Sequence, residues 1–344
     1  MDGQPNKWWR TGLRGLGAVV AGGVVTLAGC GDGASGPITV YSGREEELVA
    51  PLFEQFTAET GIEVEVRYGD SAELAATIAE EGSNSPADVF FAQDPGSLGA
   101  IDEQLEELPS ETLERVDERY RDTDGRWVGT SGRTRVLVYS TDAVTDEELP
   151  ESVLELVEPE WKDRVGIAPT NGSFQAFVTA MRLALGDDET RAWLEGLKEN
   201  GAKTYEKNTP IVEAVAAGEI DVGLVNHYYL ALVKEEQPDA PIANHLFEAG
   251  DPGALVSVAG AGVLEGTDQR EDAESFVEFL LSDDAQQFYV DEAEESEYPL
   301  VDGVEPAAGL PPLDEIEGPA VELTAFGAEL EATVELLRET GWLT

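Results

Sequence analysis

Four short stretches of this 344-residue chain change from apolar to small and polar residues, each directly after a run that reads as a strand. They are Tyr41-Ser42-Gly43-Arg44-Glu45, Ala92-Gln93-Asp94, Pro169-Thr170-Asn171-Gly172-Ser173 and Asn226-His227-Tyr228-Tyr229. Small residues that leave backbone N–H groups open at helix starts suit an anion. A phenol pair with carboxylates nearby suits a hard trivalent cation. The ion's charge offsets the cost of deprotonating a group whose ordinary pKa is about 10. Adjacent tyrosines also serve as packing or rim residues, so the pair alone does not decide the chemistry. His227 and His245 are the only histidines, and His227 reads as a rim residue beside the phenols. No Ser-His-Asp order, CxxC, HExxH or Walker-type glycine loop is present, so nothing in the sequence points to catalysis.

The elements that must hold these stretches follow from hydrophobic spacing. Ile38 to Tyr41 reads as a strand, and Leu48, Leu52 and Phe56 recur every fourth residue in a helix closing at Gly61. Ile62, Val64 and Val66 alternate with charged residues, Ser71 is placed to cap a second helix, and Val89-Phe90-Phe91 is a third strand. This strand–helix alternation predicts a parallel sheet with helices on its faces. A second α/β unit follows Gly132-Arg133-Thr134-Arg135, with strands at Val136 to Tyr139, Val165 to Ala168 and Val222 to Val225. Thr209-Pro210 reads as the cap and first turn of a helix within it. Leu255 to Leu264 reads as a strand returning to the first unit, and helices around Phe276 to Tyr289 and Val321 to Leu337 pack outside. Two α/β units joined by crossings near 135 and 255 predict a two-lobed protein whose ligand sits in the cleft, beyond the strand ends.

Composition narrows the function further. The chain carries 71 acidic and 21 basic residues, a formal net charge of −50, which repels a polyanion and excludes plain nucleic-acid binding. Its 42% hydrophobic content argues for a folded chain rather than an acidic disordered one. Acidity spread along the whole length, with few lysines, reads as a halophile's adaptation to high salt, where charge repulsion is screened. At the amino terminus, Lys7, Arg10 and Arg14 precede an apolar run ending at Leu27-Ala28-Gly29-Cys30. That order reads as a signal peptide over 1–29. Its end resembles a lipobox, with Cys30 as the lipidation point and 30–36 as anchor and tether. The expected location is outside the cell, held by lipid on the outer face of the cytoplasmic membrane.

From 37 to 305 the chain resembles the ferric-iron-binding subfamily of type II periplasmic binding proteins, the solute receptors of iron ABC importers. The resemblance rests on Val40-Tyr41-Ser42-Gly43-Arg44, Ser85-Pro86-Ala87-Asp88-Val89-Phe90, Ser131-Gly132-Arg133-Thr134-Arg135-Val136, Pro169-Thr170-Asn171-Gly172 and Glu297-Tyr298-Pro299-Leu300. Most specific is Asn208-Thr209-Pro210, then Gly218-Glu219-Ile220, then Asn226-His227-Tyr228-Tyr229. It implies an α/β two-lobed fold with lobe 1 at 37–134 plus 256–300, lobe 2 at 135–255, and C-terminal helices at 301–344 packing on both. It implies Fe3+ held by Tyr228 and Tyr229, with first-lobe ligands among Glu45, Gln93 and Asp94. Glu45 stands where the subfamily usually has His, and Gln93 where it commonly has Glu; a solvated helix start is the other reading of Glu45. A synergistic carbonate or phosphate is implied in the cleft near Ser42, Gly43, Asn171, Gly172, Ser173, Asn208 and Asn226. Arg133 or Arg135 would balance its charge, or else form hinge ion pairs. The implied partners are an ABC permease and its ATPase, the protein acting as a monomer that touches the membrane only through its lipid. The alternatives are the same fold holding thiamine or an oxyanion, and an exported α/β hydrolase.

Overall fold

The computed structural model describes residues 36–291 and 296–344. The signal segment, Cys30 and the start of the tether lie outside the described residues. The chain opens with strand β1 (Ile38–Ser42), helix α1 (Glu46–Thr60), β2 (Val64–Tyr68), α2 (Ser71–Glu81), β3 (Val89–Ala92) and a short helix α3 (Pro95–Gly99). Next come α4 (Ser110–Leu113), the long strand β4 (Val128–Ser140), β5 (Val165–Ile167), α5 (Gly172–Leu185) and α6 (Asp187–Glu199). β6 (Lys203–Thr204), α7 (Asn208–Ala216), β7 (Val222–Asn226), α8 (Tyr229–Glu236), β8 (Ile242–His245) and β9 (Val256–Val263) follow. Helices α9 (Arg270–Leu280), α10 (Asp283–Asp291) and α11 (Phe326–Glu339) complete it.

Local chemistry sets these boundaries. Leu52 and Phe56 are fully buried on one face of α1, and Phe56 meets Phe276 of α9 edge-on at 5.1 Å between ring centres. Gly61 ends α1 in the left-handed region at φ 78°, its N–H closing on Thr57 O, a conformation a side chain would strain. Two predicted caps are displaced. Helix α2 is capped by Asp70, whose Oδ1 accepts from Ala72 and Glu73, which frees the Ser71 hydroxyl for the neighbouring loop. Helix α7 starts at Asn208, so Pro210 is its third residue rather than its first.

The strands form one sheet in the order β2-β1-β3-β9-β4-β7-β5-β6, with β8 also on β4. β1, β2 and β3 are parallel, as are β5, β6 and β7, but β9 runs antiparallel to β3 and β4, and β4 antiparallel to β7. The sheet is therefore mixed where strand–helix alternation predicted a parallel one. β4 is also longer than its apolar run suggests: Gly132-Arg133-Thr134-Arg135 lies within it. Up to Thr134 it pairs with β9, and from Arg135 onward with β7. Arg133 and Arg135 thus sit where the strand changes partners. Helix α11 packs on both α3 and α5, Gly327 lying against Gly99 and Thr333 bonding Thr179 at 2.8 Å. Gly36–Thr344 forms one compact unit.

Candidate functional site

The strand ends converge on a cleft of about 350 Å³. The β1–β3 side supplies Asp70 and Ser71 at the head of α2, and Gln93, Asp94 and Ser97 where β3 meets α3. Opposite stand Asn171, Gly172 and Ser173 at the head of α5, and Asn226, Tyr228 and Tyr229 where β7 meets α8. Arg133 of β4 and Phe326 and Leu330 of α11 complete the wall. Among the described residues no three His, Cys, Asp or Glu side chains gather as a metal site.

The tyrosine pair is built by a chain of hydrogen bonds. Arg135, buried, donates from Nη1 to Asn226 Oδ1 at 3.2 Å and to Ser173 Oγ at 3.2 Å, and from Nη2 to Leu224 O at 2.9 Å. Anchoring the Asn226 oxygen turns its amide N–H toward Tyr228 Oη, to which it donates at 3.1 Å. The donor fixes the position of the Tyr228 oxygen, with a guanidinium behind it. Burial lowers the Arg135 pKa to about 10, and the charges of Tyr229 and Tyr228 oppose that fall. The Tyr228 and Tyr229 rings lie 4.5 Å apart, the first buried and the second half-buried.

On the α5 side, Asn171 caps the helix, its Oδ1 accepting from Ser173 N at 3.0 Å and from Asn208 Nδ2 at 3.3 Å. Asn208 stands behind the cleft wall rather than on it. Beneath the opposite side, Arg133 donates to Gln93 O and approaches Glu297 at 3.6 Å. Glu297 is fully buried, gripped by Arg44 through two bonds of 3.1 and 3.0 Å, and accepts from Ser131 Oγ at 2.5 Å. Burial opposes its ionisation, but Arg44 and Arg133 prevail and hold its pKa down at about 2. Arg133 Nη1 is buried and, without a hydrogen bond among the described residues, has Glu297 Oε1 at 3.6 Å as its ion-pair partner, while the side chain lines the cleft.

Of the predicted residues, Gln93, Asp94, Arg133, Asn171, Gly172, Ser173, Asn226, Tyr228 and Tyr229 share this cleft. Ser42, Gly43, Glu45, Arg135 and Asn208 do not line it. The loop after β1 folds against α2 instead: Gly43 N–H donates to Phe91 O at 2.8 Å, and a Cβ on Gly43 would collide with Ser71 Oγ. Ser42 closes that turn by accepting from Arg44 N at 3.2 Å, and Glu45 is left exposed at the start of α1. Among the described residues Arg135 forms no hinge ion pair, its partners being neutral oxygens, whereas Arg133 does pair with Glu297. His227 is not a rim residue. It is buried between Thr134 N and Ser296 O, and burial pushes its pKa down to about 4, so it is neutral. Asp70, Phe326 and Leu330 escaped the sequence reading as cleft residues, and Glu297 entered it only within the Glu297-Tyr298-Pro299-Leu300 stretch, with no role assigned. For Asp70 the signal was its place one residue before the expected cap.

Residues 84–314 match the family of bacterial extracellular solute-binding proteins. The chain is 37% identical over 310 residues to the major ferric iron-binding protein of Neisseria meningitidis serogroup B, covering 88% of this chain and 92% of that one. It is 34% identical over 337 residues to iron uptake protein A1 of a Synechocystis species, covering 92% and 93%. The solved structure of iron-bound HitA from Pseudomonas aeruginosa superposes with a TM-score of 0.82 at 34% identity, covering 89% of this chain and 100% of that one. A Trichodesmium protein in complex with iron and citrate superposes with a TM-score of 0.80 at 31% identity, covering 90% and 100%. The fold is thus the α/β periplasmic-binding-protein fold, and the chain belongs to the bacterial extracellular solute-binding proteins, which bind a solute rather than transform it.

Proposed function

We propose that this protein is the ferric-iron receptor of an ABC importer, taking Fe3+ with a synergistic anion between two lobes and presenting the closed form to the permease and its ATPase. The observation that carries the reading is the phenol pair at the head of α8, with Asn226 donating to Tyr228 Oη and Arg135 fixing Asn226. Such an arrangement suits phenolate ligands to a hard trivalent cation. The names of the iron-binding relatives support the same cargo. The helix head at Asn171–Ser173, with Arg133 lining the same cleft, favours an anion such as carbonate or phosphate beside the metal.

In this reading the lobes are 37–134 plus 256–300 and 135–255. Closure brings the phenols of the second lobe to oxygen ligands of the first. The partner exchange of β4 between Thr134 and Arg135 supports a boundary there. Cys30 carries the lipid that holds the receptor at the outer face of the membrane, and the acidic surface suits a salt-rich medium. Titrating ferric iron into apo protein gives a visible phenolate-to-iron charge-transfer band, abolished when Tyr228→Phe and Tyr229→Phe are combined. Absence of a band in the wild type, or its persistence in the double variant, sinks the metal reading.

A further inference from the structure

We infer that Asp70 supplies the first-lobe carboxylate to the metal, in place of Glu45. The inference rests on the ferric-iron reading of the cleft and names the ligand that faces the phenols. Two phenolates come from the second lobe, and a hard trivalent cation favours a further carboxylate oxygen from the first. On the α2 and α3 side of the cleft, the two side chains able to supply it are Asp70 and Asp94. Asp94 is engaged at both oxygens: Oδ1 accepts from Ser97 N at 2.8 Å and Oδ2 from Ser97 Oγ at 2.9 Å, which ties it to the cap of α3. Asp70 commits Oδ1 alone to its cap, accepting from Ala72 N at 2.9 Å and Glu73 N at 3.3 Å. Among the described residues its Oδ2 accepts no hydrogen bond. Glu45 stands outside the cleft.

The surroundings hold Asp70 in place for this role. Its neighbour Ser71 is pinned by Gln93 N–H at 2.9 Å and by the close approach of Gly43, so the head of α2 is fixed against both β1 and β3. The cap bonds limit the carboxylate's rotation and leave one oxygen for a ligand.

The test compares Asp70→Asn, Asp70→Ser and Glu45→Gln in the full-length protein, loading each with ferric nitrilotriacetate and competing with citrate. Asn and Ser both cap helices, so each preserves the α2 cap while removing the carboxylate, and the melting temperature of the apo protein checks this. The expected result is retention of the charge-transfer band with at least about a tenfold loss of iron affinity in both Asp70 variants and none in Glu45→Gln. Even an outer-shell partner of a metal ligand is worth about 10–100-fold. A loss below tenfold in Asp70→Asn, or an equal loss in Glu45→Gln, overturns the assignment while leaving iron binding standing. No band in the wild type overturns iron binding and this assignment together.

Discussion

Replacing Glu297 by Gln tests the buried charge group beneath the cleft. The carboxylate is fully buried, holds Arg44 through two bonds of 3.1 and 3.0 Å, accepts from Ser131 Oγ at 2.5 Å and lies 3.6 Å from Arg133. Gln keeps the shape but turns one of its two faces into a donor, and that face meets a guanidinium that can only donate. Two buried guanidiniums then lose the charge of Glu297. Breaking a buried pair from one side costs about 3–5 kcal/mol, because the remaining charge stays desolvated. At about 2.1 cal/mol/K of unfolding entropy per residue over roughly 300 folded residues, each kcal/mol is worth about 1.5 °C, so the melting temperature should fall by about 5–8 °C. Differential scanning calorimetry on the apo protein measures it, at low and at molar salt. The wild-type-to-variant difference should survive in both, since salt screens exposed charges far more than buried ones. The companion variant Arg44→Met with Glu297→Leu removes both partners of the tightest pair and should recover part of the loss. A drop below about 1 kcal/mol in Glu297→Gln, or one that vanishes in high salt, would refute the account of a desolvated pair.

Acid should act on the same group: its folded pKa of about 2 lies below the ordinary 4.5, so the unfolded chain binds more protons between them. This contribution is present above pH 4.5, is lost as the pH falls toward 2, and should be missing from the pH–stability profile of Glu297→Gln. Gly327→Ala places a Cβ 2.6 Å from the Gly99 carbonyl carbon and 2.8 Å from Ala100 N, backbone atoms that cannot step aside. Urea unfolding should show a loss of about 1–3 kcal/mol from this overpacking, and a neutral result would mean that α11 slides freely on α3. Asn226→Leu removes the donor to Tyr228 Oη, a bond worth roughly 1.5–3 kcal/mol when its acceptor is charged, so iron affinity should fall about tenfold or more by chelator competition. With a net charge of −50, the wild type should gain melting temperature as potassium chloride rises from about 0.1 M to about 1 M and the Debye length shortens to about 3 Å. A falling melting temperature over that range contradicts salt adaptation.

What the sequence disclosed and what it hid divide along the reach of the interactions. Helix α1 was legible because Leu48, Leu52 and Phe56 share one face, and β2 because its side chains alternate between charged and apolar. The tyrosine pair, Asn171 and Asn226 were legible as cleft residues because strand ends put them there. The beginning of β4 was not. It is buried along its whole length, so no alternation marks it, and its small and charged residues look like a loop when their partners are out of view. Glu297 lies 253 positions from Arg44, a pairing that no local pattern records. Asp70 and Ser71 show the same limit at short range. Either could cap α2, and only the Gln93 N–H that claims the Ser71 hydroxyl decides between them.

The charges around the cleft are more evenly balanced than those of the whole molecule, and that contrast bears on selectivity. Arg44, Arg133 and Arg135 are buried beside or beneath it with Glu297 among them, and Asp70 and Asp94 line it, so acid and base stand near parity there in a protein of net charge −50. The acidic exterior attracts every cation and discriminates among none of them. A weakly charged cation reaching the cleft meets guanidiniums and two phenols that remain protonated unless their ligand's charge can offset the cost of ionisation. Ferric iron can supply that charge, and with the phenols ionised the guanidiniums become favourable neighbours. In the proposed receptor Arg135 would stand behind the Tyr228 phenolate through Asn226, and Arg133, in the cleft wall, near the anion. Discrimination in favour of a trivalent ion would then follow from placing the phenols over buried arginines, independently of the acidity outside.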